Sequence, residues 1–327
     1  MDYPCGQRLA PQLSEWVDIL RAHNELLIPD EQAALLKQMC SATIDRRLRH
    51  EKQVQRRRHF STTKPGGFLK DRIPVRLNDW NTQEVGNISL DLVAHCGGNV
   101  SGDYANTISG TDIATGWWEG EAILGKGQER TRAGIDRMRK RTPFGWRGIH
   151  PDNGSEFLNA HLLRYTQNEQ LDFTRSRPNK KNDNCYVEQK NWTHVRKMFG
   201  YLRYDTEAEL RILNDLYRGD LRLYKNFFQP VMKLKEKARD EGRLHRRYEE
   251  AKTPYQRVLE LADLSEKERG ELTRIYRSLN PAELKRSIDG RVRELEKTYE
   301  ARMRKRMKET AKAKKFSLEP ASSTVTF

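Results

Sequence analysis

Alternating apolar and polar positions predict a sheet in the middle of the chain. Three consecutive strand-like segments separated by glycines at Gly97–Gly98 and Gly116 are typical of strands joined in a meander. Helical spacing then alternates with short strand-like segments. This order predicts an α/β fold with a mixed sheet flanked by helices. The strands are predicted in ISLDLVAHC, the stretch that ends at Asp112, GWWEGEAIL, WRGIH and LDFTRS, and the helices in QERTRAGIDRMRKR and EFLNAHLLRYTQNEQ.

Residues 1–60 are predicted to be helical, with Asp30 and Ser41 as the N-caps of two short helices. Two short helices with a tight break between them indicate a helix-turn-helix-like region that binds DNA. Arg46 and Arg47 would then face a major groove. An ordinary helical hairpin with a basic surface explains the same residues equally well.

The remaining boundaries follow from composition. Residues 61–85 contain Pro65, Gly66, Gly67 and Pro74 and are predicted to be a linker, so a core would span 86–229. From Cys185 onward the pattern is helical, and 230–315 is predicted to be a basic helical C-terminal region. Residues 281–315 carry 13 lysines and arginines against 6 acidic residues, a net charge of +7, and an apolar stripe that favours packing on the core. Residues 316–327 are predicted to be a disordered tail.

The charge of the chain indicates a polyanionic partner. Its 327 residues include 61 Lys and Arg against 46 Asp and Glu, a formal net charge of +15. Nucleic acid is the usual partner of such a protein. The sequence predicts neither a membrane span nor a signal peptide, so a cytoplasmic, nucleoid-associated protein is expected. The four cysteines form no CxxC pair, which argues against a zinc knuckle or a disulfide framework.

Three carboxylates stand out by their positions. Asp91 interrupts an apolar strand, where an unpaired charge would be costly to bury. Asp152 follows a short strand and precedes Asn153-Gly154, a dipeptide that favours a tight turn. Glu188 lies near the start of a helix. Asp91 precedes Asp152 by 61 positions, and Asp152 precedes Glu188 by 36.

The segments SLDLVAH, HPDNGSEF and VEQKN resemble the three catalytic blocks of the DDE integrase and transposase superfamily. The wider sequence, from about Lys64 to Leu259, is similar to bacterial insertion-sequence transposases with an integrase core. KPGGFLKDRIP, TDIATGWW, FTRSRPNKKND, YKNFFQPVMKL and KTPYQR carry that similarity. The resemblance implies a ribonuclease H-like fold with a five-stranded mixed sheet. It also implies that Asp91, Asp152 and Glu188 are the catalytic metal ligands.

Such a site implies Mg²⁺ or Mn²⁺, with two ions expected, because clustered carboxylates suit hard cations. The implied reaction is metal-dependent cleavage of DNA strands and their transfer into target DNA. Cations around the third carboxylate would contact DNA phosphates. With Arg46 and Arg47, the predicted DNA-binding residues are Arg175, Arg177, Lys180, Lys181, Lys190 and Arg196.

Other residues near these blocks have structural explanations. Trp192 and Val195 share the helical face of Glu188 and are expected to seat that helix on the core. At least one ring of Trp117-Trp118 should be buried. His95 and His150 invite assignment as metal ligands, but an oxygen-liganded magnesium site does not require them.

Two alternative functions stay open. A ribonuclease H-like nuclease would cleave without joining, and a transposase-derived DNA-binding protein would have lost activity or been truncated at its start. The latter has some support because only about one helix-turn-helix fits before the core. For an active transposase we expect a homo-oligomer on DNA, since two element ends must be held together.

Overall fold

The computed structural model describes residues 4–54, 73–74, 83–176, 185–240 and 243–317. Among the predicted features, Arg177, Lys180, Lys181, most of the linker and the tail after Ser317 lie outside these residues. The described helices include a π-helical segment, Asn191–Arg196, between α7 and α8. The helices are α1 (Gly6–Ala22), α2 (Asp30–Lys37), α3 (Ser41–Arg47), α4 (Arg49–Val54), α5 (Gln128–Arg141), α6 (Ala160–Asn168), α7 (Cys185–Lys190), α8 (Lys197–Phe199), α9 (Glu207–Arg218), α10 (Asp220–Phe228), α11 (Pro254–Leu261), α12 (Glu266–Ser278) and α13 (Pro281–Ser317).

The central sheet has five strands in the order β3-β2-β1-β4-β5. The first three strands pair antiparallel as a meander, and β4 and β5 join β1 in parallel. This is the mixed sheet expected for a ribonuclease H-like core, so the predicted fold class is confirmed. The strands are β1 (Asn87–Ala94), β2 (Ala105–Asp112), β3 (Trp118–Leu124), β4 (Gly148–Pro151) and β5 (Asp172–Phe173).

Helices cover both faces of the sheet. Side chains alternate between the two faces of a strand. On β2, Ile108 lies under α5, where a Cβ added to Gly134 would be 2.5 Å from the Ile108 side chain. The preceding residue, Thr107, points to the opposite face of the sheet, and its Oγ1 is 2.7 Å from the hydroxyl of Tyr217 on α9. Both faces of β1 to β3 are therefore buried, including polar residues of β2 and β3 such as Asn106 and Glu121.

If Asp30 and Ser41 were N-caps, α2 and α3 would each begin one residue later. In the structure α2 begins at Asp30 and α3 begins at Ser41. They pack around α1, whose Trp16 is buried. The Gln12 amide of α1 donates to the Ala251 carbonyl at 3.0 Å, beside α11. These helices are thus joined to the C-terminal half of the chain. In the predicted linker, Ile73 is buried in the core.

The prediction that the chain is helical beyond Cys185 misses an antiparallel hairpin formed by β6 (Leu234–Asp240) and β7 (Arg243–Tyr248). The sequence of this hairpin is rich in charged residues and contains few apolar ones. A helix there would have no apolar face to pack on the core. Glu236 instead faces Arg247 across the hairpin, with their charged atoms 4.0 Å apart.

Helix α13 has two halves with different environments. Leu284, Ile288 and Leu295 are buried, so the predicted packing role of its apolar stripe is confirmed for this half. Met303 and Met307 further along are exposed. Arg302 anchors the boundary between the halves, since its guanidinium bonds to Asp205 and Glu209 at 2.9 Å each. None of the described helices is long and apolar enough to cross a membrane.

We predict that Ile288→Ala lowers the free energy of unfolding by about 2–5 kcal/mol, because it leaves a cavity where α13 meets the core. Met307→Ala, on the exposed half of the same helix, should change it by less than about 0.5 kcal/mol. Urea titration followed by circular dichroism measures both. Equal effects would contradict this division of α13.

Candidate active site

Strand pairing places Asp91 and Asp152 side by side. The parallel register of β1 and β4 ends with Leu90 opposite Pro151. Asp91 and Asp152 follow these two residues, so they lie at neighbouring strand positions at the carboxyl end of β4. Adjacent strands are about 4.8 Å apart. The sheet itself therefore holds two acidic residues close together.

A short turn fixes the position of Asp152. Its Oδ1 accepts a hydrogen bond from the Gly154 amide at 3.0 Å, which closes the turn that the Asn153-Gly154 dipeptide predicts. The Asn153 side chain donates to the Ser176 carbonyl at 2.9 Å and accepts from Arg175 at 3.0 Å. Arg175 in turn donates to the Ile73 carbonyl at 2.9 Å. The end of β5 thus supports the turn that carries Asp152.

Glu188 reaches the site from α7, which packs on β1 and β2. Its side chain is exposed. One turn further along, the Asn191 Nδ2 donates to the Asp91 Oδ2 at 2.5 Å. The other Asp91 oxygen accepts from the Leu92 amide at 2.7 Å. The helix that carries Glu188 is therefore bonded directly to the strand that carries Asp91.

The three carboxylates are close enough to influence one another. Burial, with the nearby negative charges of Asp152 and Glu188, raises the pKa of Asp91 from 3.8 to about 7. Burial and the charge of Glu156 raise the pKa of Asp152, against the opposing effect of Lys126. Negative charge at this place is therefore unfavourable in the chain alone, and a cation would relieve it.

Among the described residues, however, no group of three or more Asp, Glu, His or Cys side chains is arranged to hold a metal ion. The local hydrogen bonds explain this arrangement. Asp91 turns toward Asn191 and Leu92, and Asp152 turns toward Gly154. The backbone brings the predicted ligands together, while their side chains do not converge on one point.

The predicted DNA-binding cations occupy different environments. Arg46 and Arg47 are exposed on α3, as contact with DNA requires. Lys190 is buried, and this burial, with the nearby charges of Arg8 and Lys225, lowers its pKa to about 7. Arg196 is partly buried, with its guanidinium carbon 4.7 Å from the centre of the Tyr201 ring. Burial of Lys190 and Arg175 does not favour direct DNA contact for either side chain.

The aromatic residues and histidines near the blocks are buried. Trp117 and Trp118 both lie in the core, where at least one of them was expected. Val195 is also buried, as expected for a residue that packs the helix of Glu188 on the core. The Nε2 atom of His95 is 2.8 Å from the Thr107 hydroxyl, and burial lowers the pKa of His95 to about 3. The Nδ1 atom of His150 is 2.9 Å from the Thr174 hydroxyl. Both histidines thus form hydrogen bonds within the sheet, His95 as a neutral ring.

Two residues at the site were not singled out from the sequence. Asn191 lies in the VEQKN block, and its three-residue spacing from Glu188 is a helical signal that could have identified it. Glu156 lies in the HPDNGSEF block and is buried, with its carboxylate 4.0 Å from the Lys126 ammonium. Its adjacency to Asp152 depends on the folded turn, which a sequence pattern does not reveal.

We predict that Asp91 makes a contribution to the stability of the metal-free protein that falls as the pH rises between about 4 and 7, because folded Asp91 keeps its proton to higher pH than unfolded Asp91 does. Asp91→Asn removes this dependence. At pH 8 in EDTA the variant should exceed wild type by about 1–3 kcal/mol, and the difference should vanish near pH 4. Urea unfolding across this range tests it. A difference independent of pH would contradict the assignment.

Comparisons with known proteins give a relative and a structural likeness. No family model matches the chain. The catalytic core domain of BIV integrase is 13% identical at a TM-score of 0.36, over 54% of this chain and 94% of that domain. The uncharacterized protein y4rM of Sinorhizobium fredii is 35% identical over 248 residues, which are 76% of this chain and 71% of that protein. The chain therefore belongs to the same family as y4rM.

Proposed function

We propose that this protein is a DNA transposase of the DDE type, which cleaves DNA strands and joins them to a target with divalent metal ions. One observation carries the proposal: Asp91, Asp152 and Glu188 come from a strand, a turn and a helix, yet lie within electrostatic reach of one another. Clustered carboxylates that raise one another's pKa are typical of catalytic sites. The resemblance of their three sequence blocks to transposases supplies the reaction class.

The residues present fit Mg²⁺ or Mn²⁺. Carboxylate oxygens are the ligands that these hard cations prefer, and the raised pKa of Asp91 reflects burial and repulsion by Asp152 and Glu188, which a cation would offset. Asp91, Asp152 and Glu188 would hold the metal, and we expect two ions. When bound, such ions activate an attacking oxygen and stabilise the leaving oxygen at phosphorus.

The protein contributes mainly position and charge to this reaction. The Gly154 amide and the Asn153 side chain hold the turn that presents Asp152. Lys126 lies beside Asp152 and Glu156, where an exposed ammonium can meet a DNA phosphate. An attacking water gives strand cleavage, and an attacking 3′-hydroxyl gives joining. Neither reaction needs a covalent enzyme intermediate, so no serine or cysteine nucleophile is assigned.

DNA is the proposed partner. The formal charge of +15 favours association with a polyanion. Arg46 and Arg47 on α3 supply exposed cations. The exposed half of α13 adds others, including Arg304, Lys305 and Lys308. Because two element ends must meet during joining, we also propose that the protein acts as a homo-oligomer on DNA.

We predict that Glu188→Gln reduces strand cleavage and joining by at least about 10³-fold, equivalent to about 4 kcal/mol of lost transition-state stabilisation. The variant keeps the size of the side chain and removes one metal-binding charge. The assay uses labelled DNA with candidate element ends, in Mg²⁺ or Mn²⁺. DNA binding by the variant should be retained.

Glu207→Gln is the matched control, because Glu207 is also an exposed glutamate near the start of a helix of the core. It should leave both activities unchanged. Cleavage without joining by wild type would favour a ribonuclease H-like nuclease. Binding without any metal-dependent cleavage would favour an inactive DNA-binding derivative.

We predict that replacing Arg46 and Arg47 together by alanine weakens DNA binding. The plot of log affinity against log salt concentration should also become less steep, its negative slope decreasing in magnitude by about 2. These arginines are exposed, so the fold should tolerate the change. Fluorescence anisotropy across a salt series measures the slope. Alanine at Arg274 and Arg277 of α12 makes the same change in net charge and should leave the slope near that of wild type. Equal slopes for both double variants would reject a specific role for α3.

A further inference from the structure

Asn191 connects two of the proposed metal ligands. It stands three residues after Glu188, so both side chains lie on about the same side of the helix. Its Nδ2 donates to the Asp91 Oδ2 at 2.5 Å. The NH₂ group of Asn191 therefore faces Asp91 and supplies a donor to its carboxylate.

The other end of the amide has no such contact. The Asn191 Oδ1 is buried and has no hydrogen-bond partner among the described residues. Leaving a buried acceptor without a partner costs about 1–3 kcal/mol. An orphaned acceptor of this kind calls for an explanation, and a functional role is one of the recurrent ones.

The backbone around Asn191 is also unusual. Asn191 is the first residue of the π-helical segment that ends at Arg196. π-helical turns are rare and occur frequently at functional sites. This segment follows the turn with Glu188 directly, and the helix continues as α8 to Phe199. The departure from α-helical geometry therefore begins at the residue that bonds to Asp91.

We propose that Asn191 is a positioning residue of the metal site, whose NH₂ group orients the Asp91 carboxylate. This inference rests on the proposed metal-dependent function. Asp152 and Glu188 both repel Asp91, and the Asn191 amide keeps Asp91 facing the helix that carries Glu188. The Asn191 amide thereby ties Asp91 to the helix that carries Glu188, so these two proposed ligands keep a fixed relation to each other. Partners of this kind commonly affect metal affinity.

The test measures Mn²⁺ binding to the full chain without DNA, by isothermal titration calorimetry. Asn191→Ala should weaken binding about 10–100-fold. Asn191→Asp replaces the donor with another negative charge beside Asp91. It should lower Tm in EDTA and raise the gain in Tm that Mn²⁺ produces above that of wild type.

Asn214→Ala is the control for a purely structural asparagine. Its amide exchanges two hydrogen bonds with the Ala122 backbone, of 2.8 and 2.9 Å, within the core. This variant should lose stability while the folded protein keeps the Mn²⁺ affinity of wild type. If Asn191→Ala does not fold, the two Tm values of Asn191→Asp decide the question, since a structural role predicts the same loss with and without Mn²⁺.

Asp91→Asn separates this inference from the function on which it rests. If Asp91→Asn abolishes Mn²⁺ binding and Asn191→Ala binds like wild type, the positioning role is wrong and the metal site stands. If neither substitution changes Mn²⁺ binding, the proposed metal site itself is wrong, and the role of Asn191 falls with it.

Discussion

The parallel pairing of β1 with β4 is the constraint on which the site depends. Its register ends at Leu90 and Pro151, so that the next residues, Asp91 and Asp152, are neighbours. A shift of one residue would turn Asp91 to the opposite face of the sheet, under α5 instead of α7. Packing on β1 opposes that shift, because it would place the Asp91 carboxylate where the fully buried Leu90 now lies. Core packing thus fixes the position of the acidic residues.

Placing acidic groups together is unfavourable for the fold, and several local contacts offset this. The Leu92 amide and Asn191 side chain bond to Asp91, and the Gly154 amide bonds to Asp152. These donors stabilise the carboxylates only in part, since burial and the charges of Asp152 and Glu188 still raise the pKa of Asp91 to about 7. The carboxylates of the site therefore still repel one another, and a bound cation would relieve that repulsion.

The sequence predicts the sheet well because its signals are local. The strands of the core are short segments that end at turn residues, such as β1 before Gly97 and β2 before Gly116, and the resemblance of three blocks adds their order. The β6–β7 hairpin was missed because Leu234 to Tyr248 has charged residues that favour no single structure by periodicity. Burial of Lys190 was missed for another reason: Arg8 and Lys225, which approach it in the folded chain, are 182 and 35 positions away in sequence. The contact of Asn191 with Asp91 spans 100 positions.

The N-terminal helices gain a second role from the structure. Sequence spacing alone indicates a DNA-binding unit connected by a linker, but Gln12 bonds to Ala251 and Trp16 is buried. Glu25 of the same region accepts from Arg286 of α13 at 2.6 Å. Because these helices pack on the C-terminal half, the exposed Arg46 and Arg47 stand on a supported surface rather than on a free module. Cations held in this way lose less backbone freedom when they bind a polyanion than cations on a free module do, so binding carries a smaller entropic cost.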